Sequence, residues 1–300
     1  MYMEFKPFRK LRLAGNAAVG NYVTSVAIHG NRIVSTHSHS YLKVWDIKTM
    51  ELERSLRAKR ELATVVGNRI IAADTQNNRV EVWNADEGVV ERTIENRDDE
   101  GLIYDDDSLK SIAFGGSLII LGIGRDMIFY NADERADPEK TVYVHEFDSR
   151  MVSVAIDEAN MTCVGVSKNK LTVLKWNKKY NFTTLFEEDV TGITCVAIYG
   201  NIVVFGNETR KLNIWNTSTK NMISVPNGGK VNSLAIYADR IVSGMENYIK
   251  IWDAKTGELV QTLDNNSIVR CIDINEGRIV AGENNDIKIW INEQAAESAM

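Results

Sequence analysis

His37 and His39 lie two residues apart, so an extended backbone would put both imidazoles on one side, as a metal site needs. No neighbouring Cys or His supplies a third and fourth ligand, so no metal is expected. Asp105, Asp106 and Asp107 are the densest carboxylate run, but they lack the Gly and terminal Glu of a calcium-binding loop. For catalysis the chain offers no Gly-x-Ser-x-Gly, no Walker loop and no His-Glu-x-x-His. No catalytic residue and no cofactor is therefore assigned. What remains is recognition chemistry. Lys110, Arg150, Lys230 and Arg270 are suited to charge-assisted hydrogen bonds with phosphate or carboxylate. Tyr22 and Met245 are the kind of anchor that carries binding energy at an interface.

A repeat must position these side chains. The tryptophans Trp45, Trp83, Trp176, Trp215, Trp252 and Trp290 are spaced by 38, 93, 39, 37 and 38 residues. The long gap divides at Tyr130 into 47 and 46. A fixed period near forty means seven copies of one supersecondary unit. Each unit opens on an alternating run such as Val23-Thr-Ser-Val-Ala-Ile28, Met151-Val-Ser-Val-Ala-Ile156 or Val231-Asn-Ser-Leu-Ala-Ile236. The second unit carries a worn version, Glu61-Leu-Ala-Thr-Val-Val66. A tight turn follows, for example Gly30-Asn31, and then a short apolar run such as Ile33-Val34-Ser35. A third run ends on the tryptophan, and a fourth follows a polar turn, as in Asp253-Ala-Lys-Thr-Gly257 before Glu258-Leu-Val-Gln-Thr-Leu263. These β-branched, alternating runs read as strands, and no segment reads as a long amphipathic helix. The expectation is an all-β fold, a seven-bladed β-propeller of four-stranded antiparallel blades. It fills residues 1–300 as one domain, with repeats over about 23–290.

Trp45-Asp46 and Trp252-Asp253 are Trp-Asp pairs, and Trp83-Asn84, Trp176-Asn177, Trp215-Asn216 and Tyr130-Asn131 are close variants. With this spacing the chain resembles the WD-repeat propellers, and its short first hairpins resemble those of the F-box/WD substrate receptors. Two features of that family are missing. The Gly-His pair ahead of each first strand is absent. The Asp six residues before each tryptophan is replaced by His39, Asn77, Gly124, Lys170, Thr209, Glu246 and Asn284. The family's buried His–Ser–Asp–Trp network is therefore not expected in its usual form, and each indole N–H needs another acceptor.

Only ten residues follow Trp290, and they do not read as a strand. Phe8-Arg-Lys-Leu-Arg-Leu13 does, so residues 1–22 are expected to provide a leader and the strand that closes the last blade, with 291–300 as a tail. Such closure covers an edge that would otherwise invite aggregation. Cys195 and Cys271 fall where other units have Ser25, Ser111, Ser153 and Ser233, which reads as a small buried slot and not a reactive thiol. Three cysteines give no disulfide framework.

The resemblance implies that the face carrying the first-strand starts is the docking surface. There Tyr22, Thr24, Lys110, Arg150, Asn232, Met245 and Arg270 are the candidate partner-binding residues. Glu61, Glu208 and Glu283 on the same face would make it a mixed-charge site. The acidic insertion from Glu95 to Asp107, with seven acidic side chains, is expected to project from that face towards a basic partner. A second insertion, around Asp133 to Glu139, falls in a turn on the opposite face.

The net charge of −6 argues against nucleic acid. No run of 18 apolar residues suggests a membrane span, and the opening lacks a signal-peptide pattern, so a cytoplasmic or nuclear location is expected. The leading function is a non-catalytic scaffold or adaptor that binds a protein or peptide, phosphorylated or basic, around the central channel. The alternatives are a ubiquitin-ligase substrate receptor for a phosphorylated segment, its recruiting domain on another chain, and an enzyme with a central-channel site.

Overall fold

The computed structural model describes residues 4–12, 22–38, 41–57, 61–75, 77, 79–95, 109–133, 141–284 and 286–292. Seven four-stranded antiparallel sheets form a ring. The first blade consists of Val23–His29, Arg32–His37, Tyr41–Asp46 and Leu52–Arg57, and the next five repeat this order. The innermost strand of each blade packs against that of the next, and the first blade meets the seventh. No helix long and apolar enough to cross a membrane occurs among the described residues.

The seventh blade takes three strands from Cys271–Ile291 and its outermost from Lys6–Arg12, paired antiparallel to Asp286–Ile291. The closing strand thus starts two residues earlier than its alternation suggested. It is pinned at both sides of the blade. Phe5, buried just ahead of it, exchanges two hydrogen bonds of 2.8 Å with the Gln261 side chain and packs between the sixth and seventh blades. Leu11 packs between the seventh and the first.

The repeated residues have distinct mechanical roles. All six tryptophans and Tyr130 are buried in the cores between neighbouring sheets. The Asp or Asn after them closes the turn to the fourth strand. Asp46 Oδ1 accepts from the Lys48 and Thr49 N–H groups, and Asp253 Oδ1 from Lys255 and Thr256. Asn84 and Asn216 do the same, which is why either residue serves. The small residue of the first strand bridges adjacent innermost strands. Ser25 Oγ donates to Ala63 O at 3.0 Å, while Ser111 Oγ and Ser233 Oγ accept from Val154 and Ile272 N–H. Cys195 and Cys271 occupy this slot, and burial pushes their thiols up to about 11 and about 12. They are packing groups at neutral pH.

The indole network forms in two blades, in an altered form with other partners. Trp45 donates to Ser35 Oγ at 3.1 Å, which lies 3.0 Å from His37 Nε2. Trp252 donates to Ser243 Oγ at 3.0 Å, which donates to Asn227 Oδ1 at 2.9 Å. In the second blade Ala72 replaces the serine, and the buried Trp83 Nε1 has no partner among the described residues.

Candidate functional site

The turn between the second and third strands lies beside the start of the innermost strand, on one face. Ser38 N–H donates to Tyr22 O at 3.0 Å, and Lys168 N–H to Arg150 O at 3.2 Å. Neighbouring blades are stitched in the same way: Val269 N–H donates to Met245 O at 2.9 Å, and Met151 N–H to Gly124 O at 2.7 Å. At these junctions the face is a hydrogen-bonded rim.

The seven candidate residues are distributed around it. Two pairs come together. The Arg270 guanidinium lies 4.4 Å from the Tyr22 ring centroid, across the seam between the seventh and first blades. Asn232 and Met245 line a cleft of about 480 Å³ on the sixth blade. Met245 is buried, so it forms a wall and does not project as an anchor. Thr24 Oγ1 is 2.7 Å from Thr36 Oγ1, inside the first blade. Lys110 and Arg150 are exposed at the starts of the third and fourth blades, in other sectors of the ring. The insertion beyond Glu95, with His39 and the loop 134–140, lies outside the described residues.

The sixth-blade cleft is built from a fixed loop. Asn227, fully buried in the link before the innermost strand, ends the Trp252–Ser243 chain of hydrogen bonds. Its amide donates to Gly229 O at 3.1 Å, and its carbonyl accepts from Lys250 Nζ at 2.6 Å. Gly228 sits at φ +85°, and a Cβ there would come 3.2 Å from Lys250 Nζ, so a glycine suits both the backbone and the close approach. Lys250 is also held over the Trp252 ring, 5.5 Å from its centroid. Arg210, Lys230 and Lys250 line the cleft against one carboxylate, Glu246, and the exposed ring of Tyr248 stands at its edge.

The equivalent lysines explain why this sector is electropositive. Lys43, Lys250 and Lys288 each stand two residues before a tryptophan. Lys288 has a counter-ion, Glu283, at 2.8 Å, so Glu283 is buried and not presented to a ligand. At the same strand position the first blade has His37 and the sixth Met245. His37 is pushed down to about 4 by burial and by Lys43, so it is neutral at pH 7. Met245 carries no charge, and no carboxylate pairs with Lys250 among the described residues. Sequence reasoning passed over Lys250, Asn227 and Tyr248. The recurring Lys-x-Trp was the signal that would have found the first.

No family model matches the chain, and no curated protein matches it. Among solved structures it is similar to the crystal structure of the computationally designed Ika8 protein. The two share 19% identity over 95% of this chain and 100% of that one, with a TM-score of 0.67. At that identity the likeness speaks for the propeller fold alone.

Proposed function

We propose that the chain is a WD-repeat-type propeller acting as a non-catalytic scaffold or adaptor in the cytoplasm, and that it binds a protein segment at the sixth-blade cleft. The carrying observation is the cleft's surplus of cations, three against one carboxylate, on a loop held by the Trp252–Ser243–Asn227 chain. A rigid floor lowers the ordering cost of binding, and cations over an aromatic edge favour an acidic or phosphorylated segment. The outlying Tyr22–Arg270 pair would extend the contact across the rim. We assign no catalytic residue and no cofactor.

The test is a pull-down from the source cell with the purified ring and with an Arg210→Glu/Lys230→Glu variant, each with and without phosphatase. The scaffold reading expects captured protein that the variant loses while its thermal melt is unchanged. The same cation surplus favours a narrower second reading, a substrate receptor of a ubiquitin ligase that takes a phosphorylated segment. That reading requires capture to be phosphatase-sensitive; capture insensitive to phosphatase rejects it and leaves the scaffold.

A further inference from the structure

A second recess lies on the side of the ring, between the fourth and fifth blades. Its volume is about 500 Å³. One wall is the outermost strand of the fourth blade, Phe182–Asp189, and the other is the fifth blade's Lys211–Asn216 strand with its following turn. The repeat varies at the turn that lines this recess. In the second and sixth blades the turn after the third strand holds a glycine, Gly88 or Gly257, tight against the preceding blade's outermost strand. A Cβ at Gly257 would meet Ile223 at 2.9 Å, and one at Gly88 would meet Arg54 at 3.1 Å. The fifth blade places Lys220 there, at φ +60°. Lys220 lines the recess from that position.

The recess has an aromatic floor and an acidic rim. The Phe186 and Trp215 rings contact each other with centroids 3.9 Å apart. Glu188 and Asp189 are exposed on the rim, and neither has an ion-pair partner among the described residues. Lys220 is the one cation, on the opposite wall. Asn213 lines the recess at 7% exposure, and its Nδ2 has no hydrogen-bond partner among the described residues. A buried amide left unpaired costs free energy that a ligand's polar group can recover. Met222, more than half exposed, flanks the opening. The outermost strand has one unpaired edge, open to an extended chain.

We propose that this recess is a second binding site, for an extended segment of a protein partner that carries an apolar residue followed by a basic one. The apolar side chain and the stem of the basic one lie on Phe186, Trp215 and Met222. The cationic head sits between Glu188 and Asp189, and a backbone carbonyl of the segment accepts from Asn213 Nδ2. Exposed carboxylates alone contribute little; the aromatic floor under a cation supplies the rest. This site has the opposite charge preference to the sixth-blade cleft and does not depend on it.

The probe is N-acetyl-leucyl-arginine amide, titrated into protein labelled with 5-fluorotryptophan, the Trp215 line being assigned from Trp215→Phe. A saturable shift of that line is expected with the basic dipeptide and not with N-acetyl-leucyl-glutamate amide. Glu188→Lys/Asp189→Lys, at exposed positions, should weaken binding at least tenfold with an unchanged melt, as should Met222→Asp. No shift of the Trp215 line up to the solubility limit overturns the proposal. So does equal binding of the acidic dipeptide, or undiminished binding by the charge-reversed variant.

Discussion

Arg270 and Tyr22, 248 residues apart in sequence, are in cation–π contact at 4.4 Å. The contact exists because the first and seventh blades close the ring, bringing the starts of their innermost strands side by side. Every property of the rim rests on that closure, and closure rests on the strand Lys6–Arg12.

Closure is testable at Phe5. It is 3% exposed and its backbone exchanges two hydrogen bonds with Gln261. Replacing it with Ala should cost about 3–5 kcal/mol, as for other buried aromatics. Gln261→Ala should cost about 1–2 kcal/mol, since it leaves the Phe5 backbone groups without their side-chain partner. Chemical denaturation measures both. A Phe5→Ala protein as stable as the parent would mean that the closing strand does not hold the ring.

The tryptophans should not be equivalent. Trp252→Phe removes the first of two linked hydrogen bonds and leaves Ser243 without its donor, a loss of about 1–2 kcal/mol beyond packing. Trp83 makes no such bond, so Trp83→Phe removes an unpaired buried N–H and should be milder. Denaturation midpoints of the two variants compare them. Equal losses would show that the indole N–H groups contribute nothing.

How the fold could be read from the chain, and the site only partly, follows from the same residues. The period survives in Trp45, Trp252 and their equivalents because each blade needs one bulky group between sheets, and in the following Asp or Asn because each turn needs an acceptor. Those are local demands that repeat. Asn227 standing in for the missing histidine is different. Its role depends on Ser243 and Trp252 being brought beside it, and nothing at position 227 alone announces that. Likewise the charge of Lys250 matters because its neighbour is Met245 where the seventh blade has Glu283. The recess beside Trp215, lined by Lys220 where two other blades have glycine, is visible only once the blades are packed.

Two ionisable groups, His37 buried and Asp273 half-buried, make stability depend on pH in opposite senses. Burial pushes the Asp273 carboxyl up to about 6, against hydrogen bonds from the Ile28 and Ile274 N–H groups. Raised above its unfolded value of about 3.9, it holds its proton longer in the folded state. Its contribution is therefore favourable at low pH and is lost as pH rises from about 4 through 6. His37, pushed down to about 4, is neutral when folded, so its contribution is present above its unfolded value of about 6.5 and lost as pH falls towards 4. Asp273→Asn removes the first effect alone. The variant's stability relative to the parent should rise between pH 4 and 7 by on the order of 1–3 kcal/mol, read from urea melts at each pH. A difference independent of pH would show that Asp273 is already ionised in the fold.

The central claim is that the protein acts by holding a partner at the sixth-blade cleft. Photo-crosslinking tests it most directly, with the crosslinking residue placed at Asn247 beside the cleft or, in a separate variant, at Lys178 in a turn on the opposite face. Each is irradiated in extract of the source cell and compared with the same variant carrying Arg210→Glu/Lys230→Glu. The expected result is a discrete protein adduct from position 247 that the charge reversals abolish, with none from 178. Adducts only from 178, or adducts from 247 that survive the charge reversals, would contradict it.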